Sequence, residues 1–114
     1  MPESKMPDSP IALITGASRG IGKAVATALA QTGCFVYLNY SSSQDKARAV
    51  LEEIIQNGGQ GELLGFDVSS QDEADQAVKQ IISEKGRIDI LVNNAGIRDD
   101  RLMVRMKKAH WQRV

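Results

Sequence analysis

The stretch with the clearest chemical capacity is Thr15-Gly16-Ala17-Ser18-Arg19-Gly20-Ile21-Gly22. They lie between a short apolar run, Ile11 to Ile14, and a segment with helical spacing, so the chain must turn sharply there. Glycine permits positive φ and leaves room for a ligand to approach backbone N–H groups at the positive end of a helix. A diphosphate is the group such a turn suits. The glycine spacing is G-x-x-x-G-x-G. A Walker-type phosphate loop is the competitor, because Gly22-Lys23 has the form of its end. It fails twice, since Ala17 stands at its first required glycine and Ala24 at its magnesium-ligating Ser or Thr.

Strand and helix patterns alternate on either side of this turn. Ile11 to Ile14, Phe35 to Leu38, Leu63 to Phe66 and Ile88 to Val92 are continuous apolar runs, the pattern of parallel strands covered on both faces. Between them Val25, Ala28, Leu29 and Thr32 share one helical face. Ala47, Val50, Leu51, Ile54 and Ile55 form a second, and Ala74, Ala77, Val78, Ile81 and Ile82 a third. Gly33, the Asn57-Gly58-Gly59 run and Gly86 are the expected stops. Ser69 or Ser70 caps the third helix at its start, with Glu73 completing a capping box from Ser70. A last helix is expected from Asp99 or Asp100 through Val114. The order predicts an α/β fold, a doubly wound (Rossmann-type) parallel sheet with right-handed crossovers, truncated after the fourth strand and part of the following helix.

Composition excludes several function classes. The 114 residues carry 14 Lys+Arg and 14 Asp+Glu, a net charge of +0 that argues against bulk attraction to nucleic acid or an anionic membrane. One Cys and one His cannot build a disulfide or a Cys-cluster zinc site, and the reading is a reducing, cytoplasmic compartment with no metal. No apolar run reaches the roughly 18 residues of a membrane helix. Residues 1–10 hold all three prolines together with Glu3, Lys5 and Asp8, and read as a flexible tail preceding a domain over 11–114. Charge is uneven: nine acids against four bases lie between Gly61 and Asp100, and five bases with no acid between Arg101 and Val114. A solvated or subunit-facing helix explains that basic end better than nucleic acid does.

Thr15 to Gly22, then Asp67-Val68, then Leu91-Val92-Asn93-Asn94-Ala95-Gly96-Ile97 resemble three successive signatures of the short-chain dehydrogenase/reductase family, over residues 11–114. The stretch from Asn94 to Lys108, with Trp111, is most similar to the 3-oxoacyl-(acyl-carrier-protein) reductases of fatty-acid biosynthesis. The resemblance implies that Gly16, Ala17, Ser18, Arg19, Gly20, Ile21 and Gly22 wrap the cofactor diphosphate and adenosine ribose. It implies that Asp67 accepts from the adenine amino group beside the Val68 backbone, and that Asn94, Ala95 and Gly96 line the nicotinamide ribose. Asn93 is expected to tie strands together. An NAD site places a carboxylate at the end of the second strand. Here Leu38-Asn39-Tyr40-Ser41-Ser42-Ser43 holds none before Asp45, so a 2′-phosphate would meet the Ser41 and Ser42 hydroxyls and could pair with Arg19. NADPH (NADP+) is therefore favoured over NADH.

The family's chemistry requires a Tyr-x-x-x-Lys pair, and these 114 residues contain none: Ser41 follows Tyr37 by four, and Gln44 follows Tyr40 by four. No catalytic residue is assigned. His110 on a basic segment reads as solvated and Cys34 as a small buried hydrophobe. The expectation is the NADPH-binding, N-terminal part of an oxidoreductase that moves hydride from NADPH to the C3 ketone of an acyl thioester. That whole protein would act on acyl carrier protein thioesters as a homo-oligomer, a tetramer in the family. The chain alone is expected to be inactive, with the fourth strand left as an uncovered edge. Rival readings are a non-enzymatic nucleotide-binding module, a split half needing a C-terminal partner, a gene remnant, or a reductase of another ketone.

Overall fold

The computed structural model describes residues 9–18, 20–94 and 112–113. Its strands are β1 (Ile11–Ile14), β2 (Phe35–Tyr40), β3 (Gln60–Gly65), β4 (Ile90–Val92) and β5 (Gln112–Arg113). Three helices connect the first four: α1 (Gly20–Gln31), α2 (Gln44–Gln56) and α3 (Gln71–Lys85). The sheet is parallel throughout in the order β3-β2-β1-β4-β5. After β1 the chain winds outward through β2 to β3, then crosses back to the far side of β1 at β4. That reversal puts a crevice at the carboxyl ends of β1 and β4, where open α/β sheets bind ligands.

Each face of the sheet has its own core. Ala12, Ile14, Val36, Leu38 and Val92 pack with Ala26 and Ala30 of α1 and with Val50 and Ile54 of α2. On the other face Ile11, Leu13, Tyr37, Leu64 and Leu91 pack with Ala74, Ala77, Val78 and Ile81 of α3. Alternate residues of one strand thus feed opposite cores, and nearly every position in β1 and β2 is buried. Among the described residues no helix is long and apolar enough to cross a membrane.

Several elements differ from the sequence reading. The buried face of α1 is Gly22, Ala26 and Ala30, while Val25 and Leu29 are half-buried and Ala28 and Thr32 exposed. Small side chains bring this helix close to the sheet, and closeness, not side-chain size, selected the face. In α2, Ile55 is exposed. Strand β3 begins earlier, at Gln60, because its register against β2 pairs Phe35 with Gln60. An edge strand paired on one side tolerates polar residues there. The helix expected to reach Val114 does not hold at 112–113, which pair with Ile90 and Leu91 as β5. Backbone groups on the free side of β4 find partners this way, so β4 is not an uncovered edge; residues 95–111 lie outside the described residues.

The helix ends follow local chemistry. Gly33, Gly58 and Gly86 all take positive φ after the three helices. Ser70 caps α3, its side chain accepting from Glu73 N. Glu73 does not close the capping box; its Oε1 accepts from Asp67 N at 2.8 Å instead. The helix cap therefore also anchors the loop that carries Asp67.

Candidate functional site

The site is built outward from the end of β1. Thr15 is fully buried, its N–H donating to Val92 O at 3.0 Å and its hydroxyl to Val92 O at 3.3 Å and Asn93 Oδ1 at 3.4 Å. Those bonds join β1 to the end of β4, the tie expected of Asn93. The backbone then turns through Gly16 at φ 61° and enters α1 at Gly20 with φ 62°, both in the left-handed region that disfavours a Cβ.

Gly22 shows why the third glycine is needed. A Cβ there would stand 2.2 Å from Gly16 O and 2.8 Å from Asn94 Nδ2. Asn94 Nδ2 itself donates to Gly16 O at 3.1 Å. Gly16, Gly22 and Asn94 thus meet at the β1–β4 crevice, although 78 residues separate Gly16 from Asn94. At Gly20 the opposite holds: a Cβ would meet nothing within 4 Å and would project into open space above the turn. The first turn of α1 carries no acid. Its positive end, with the unpaired N–H groups that begin any helix, is electrostatically open to an anion.

The turn's own residues divide into frame and rim. Gly16 N donates to Asn39 Oδ1 at 3.2 Å, and Ala17 N to Asn39 O at 3.1 Å. Ala17 is fully buried in the core under α1. Those two amides are spent inside the protein. Ser18 is half-buried, and Ile21 is 71% exposed, the more open of the two exposed large apolar side chains among the described residues. Arg19 lies outside the described residues, as do Ala95 and Gly96.

The remaining sequence-predicted residues lie along the same edge of the sheet. Ser41 and Ser42 are exposed in the bend after β2. Ser43 starts α2 without a side-chain capping bond. Beyond β3, Asp67 is exposed, its Oδ1 accepting from Ser69 N at 2.9 Å and Ser69 Oγ at 2.7 Å. The Ser69 hydroxyl, then the Ser69 amide, hold the Asp67 carboxyl below its ordinary value of 3.8. Oδ2 has no hydrogen bond among the described residues, so an ionised acceptor faces outward. Val68 is half-buried against the α3 core.

Sequence reasoning missed Asn39. It is 1% exposed at the end of β2, and besides accepting from Gly16 N it donates through Nδ2 to Phe66 O at 3.0 Å, Leu64 O at 3.3 Å and Tyr40 O at 3.3 Å. The available signal was an Asn inside the otherwise apolar or aromatic run Phe35–Tyr40, where a buried amide must find partners.

Known proteins share this fold and much of this sequence. The family model described as short chain dehydrogenase matches residues 10–114. A 3-oxoacyl-(acyl-carrier-protein) reductase of Synechocystis is 53% identical over 104 residues, covering 91% of this chain and 42% of that protein. The reductase of the same name from Staphylococcus epidermidis is 47% identical over 103 residues, with 90% and 42% covered. Among solved structures, a metagenomic short-chain oxidoreductase in complex with NADP superposes with a TM-score of 0.74 at 40% identity, over 80% of this chain and 41% of that one. A dehydrogenase/reductase from Sinorhizobium meliloti gives 0.70 at 38% identity, over 73% and 33%. The chain spans about two-fifths of the length of the curated relatives it matches.

Proposed function

The chain belongs to the short chain dehydrogenase family, and we propose that it is the NADPH-binding part of a reductase acting on the C3 ketone of acyl-carrier-protein thioesters. One observation carries the binding half of this reading: Gly16, Gly22 and Asn94 meet in the β1–β4 crevice with no room for a Cβ at Gly22. A dinucleotide fits what is present. Open space above Gly20 and an acid-free helix start suit a diphosphate, and the outward Asp67 oxygen suits an amino donor.

NADPH, when bound, supplies the hydride. The chain's own residues bind and orient. Backbone N–H groups at the start of α1 take the diphosphate, while Gly16 and Ala17 hold the turn's shape. Asp67 accepts from the adenine beside Val68, and Asn94, Ala95 and Gly96 line the nicotinamide ribose. Ser41, Ser42 and Arg19 meet the 2′-phosphate, where no carboxylate stands to repel it. The substrate half of the reading rests on the Synechocystis and Staphylococcus relatives and on the Asn94 to Lys108 stretch. Nucleotide binding is the part of that activity these 114 residues, which hold no Tyr-x-x-x-Lys, are proposed to carry.

Fluorescence titration of the purified chain tests it. Saturable NADPH binding is expected, with Arg19→Ala weakening NADPH by about tenfold, the scale of one charge-assisted phosphate contact, and NADH much less. Equal losses for both would remove Arg19 from the 2′-phosphate. No binding of either nucleotide by the unaltered chain would overturn the reading.

A further inference from the structure

We propose that Asn39 is a positioning residue that sets the span between the diphosphate turn and the adenine end of the site; this rests on the nucleotide-binding reading above. Its amide lies between three strands' worth of backbone. Oδ1 accepts from Gly16 N at 3.2 Å on the side of β1, and Nδ2 donates to Leu64 O at 3.3 Å and Phe66 O at 3.0 Å on the side of β3. Phe66 is the residue before Asp67, whose own N–H is held by Glu73 Oε1 at 2.8 Å. A continuous line of hydrogen bonds thus runs from Gly16 through one side chain to the peptide that presents Asp67.

The chemistry of the amide dictates its orientation. Oxygen must face the Gly16 N–H, and nitrogen must face the carbonyls, because donors cannot face donors. Asn39 O also accepts from Ala17 N at 3.1 Å, so main chain and side chain grip consecutive residues of the turn. Burial to 1% exposure leaves no water to substitute for a lost partner. No other residue type reproduces the pattern at this length: Asp has the shape but presents oxygen to Leu64 O and Phe66 O, and Leu has the volume but no polar atom.

A ligand bridging both subsites should therefore depend on Asn39, whereas one confined to the adenosine end should not. The purified 114-residue chain and its Asn39→Asp and Asn39→Leu variants would be titrated calorimetrically with NADP+ and with adenosine, which carries neither the diphosphate nor the 2′-phosphate that Arg19 meets. The expected result is a loss of about tenfold or more for NADP+, with adenosine binding retained within about threefold. Amide hydrogen exchange supplies a second readout: Gly16 and Ala17 should lose protection while the β1–β2 ladder keeps it. If both carboxylate and leucine variants fail to fold, Asn39→Ser, which shortens the bridge without burying a charge, takes their place. Equal losses for the two ligands, or none, would overturn the positioning role while leaving the site reading intact. Failure of the unaltered chain to bind either ligand would overturn both.

Discussion

The two ends of this sheet use polar side chains differently. At the amino ends of the strands, Asp89 Oδ2 accepts from Ile11 N and from Arg87 Nε, both at 2.8 Å, and Arg87 also donates to Ser9 O at 3.1 Å. Nearby the Tyr37 hydroxyl donates to Glu84 Oε1 at 2.8 Å, and Lys85 Nζ sits 3.9 Å over the Phe35 ring. Donors and acceptors there answer one another. At the carboxyl ends the turn is held as firmly, but groups are left facing out: Asp67 Oδ2, the start of α1 and the Ile21 side chain. The first end closes the fold, and the second presents it.

Ionisation follows the same division. Burial, and then the Glu84 carboxylate accepting its hydrogen bond, push the Tyr37 phenol well above its ordinary 10, so the neutral form is kept. Bonds from Ser69 do the reverse to Asp67 and keep the charged form. A neutral, satisfied group suits an end that only has to hold together. A charged acceptor with a free oxygen suits the end proposed to meet a ligand.

Gly22→Val should do the most damage at the carboxyl end. With Gly16 O 2.2 Å and Asn94 Nδ2 2.8 Å from the position of a Cβ, the turn and the end of β4 must separate. Overpacking of this kind costs about 1–3 kcal/mol. NADPH binding should disappear in fluorescence titration while far-ultraviolet circular dichroism still reports a folded chain. Retained binding would mean that the crevice is not the site.

Asp89→Ala should do the opposite. It leaves Ile11 N without its carboxylate acceptor and removes the Arg87–Asp89 ion pair, which is partly exposed and worth about 1 kcal/mol at most. The lost bonds destabilise by roughly 1–3 kcal/mol, seen as a lower urea midpoint with an unchanged slope. The affinity of the folded fraction for NADPH should not change. If it falls as much as in the Gly22 variant, the two ends are coupled and the division fails.

Legibility in the sequence divides along physical lines. Strand β1, the face of α3 and the glycine stops were readable because continuous apolar runs, helical spacing and positive-φ positions leave local marks. The face of α1 was not, since close approach through Gly22, Ala26 and Ala30 depends on the sheet it meets and not on hydrophobic bulk. At the site, Gly16, Gly22 and Asn94 were named from motifs, yet the reason they belong together is a long-range clash and a hydrogen bond that only the fold creates. Asn39 escaped for the same reason: its role is defined by Gly16, Leu64 and Phe66, none of them its neighbour in sequence. Strand β5 was hidden because a two-residue pairing carries no periodicity at all.

Ser69→Ala should be the mildest of these changes. Asp67 has a folded value below its ordinary 3.8, so its contribution to stability is present above the ordinary value and is lost as pH falls through the lowered one. Ser69→Ala removes the hydroxyl bond, the larger cause, and keeps the Ser69 backbone bond. The Asp67 carboxyl should then titrate closer to 3.8, followed by carbon-detected nuclear magnetic resonance, with the Tyr37 end unaffected. Well above the ordinary value of 3.8 the variant should bind NADPH nearly as well as the parent, because the carboxylate is ionised in both. Its binding should fade at a higher pH than the parent's on acidification. An unshifted midpoint would mean that Ser69 shapes the loop without tuning the charge, and that this end owes its acceptor to exposure alone.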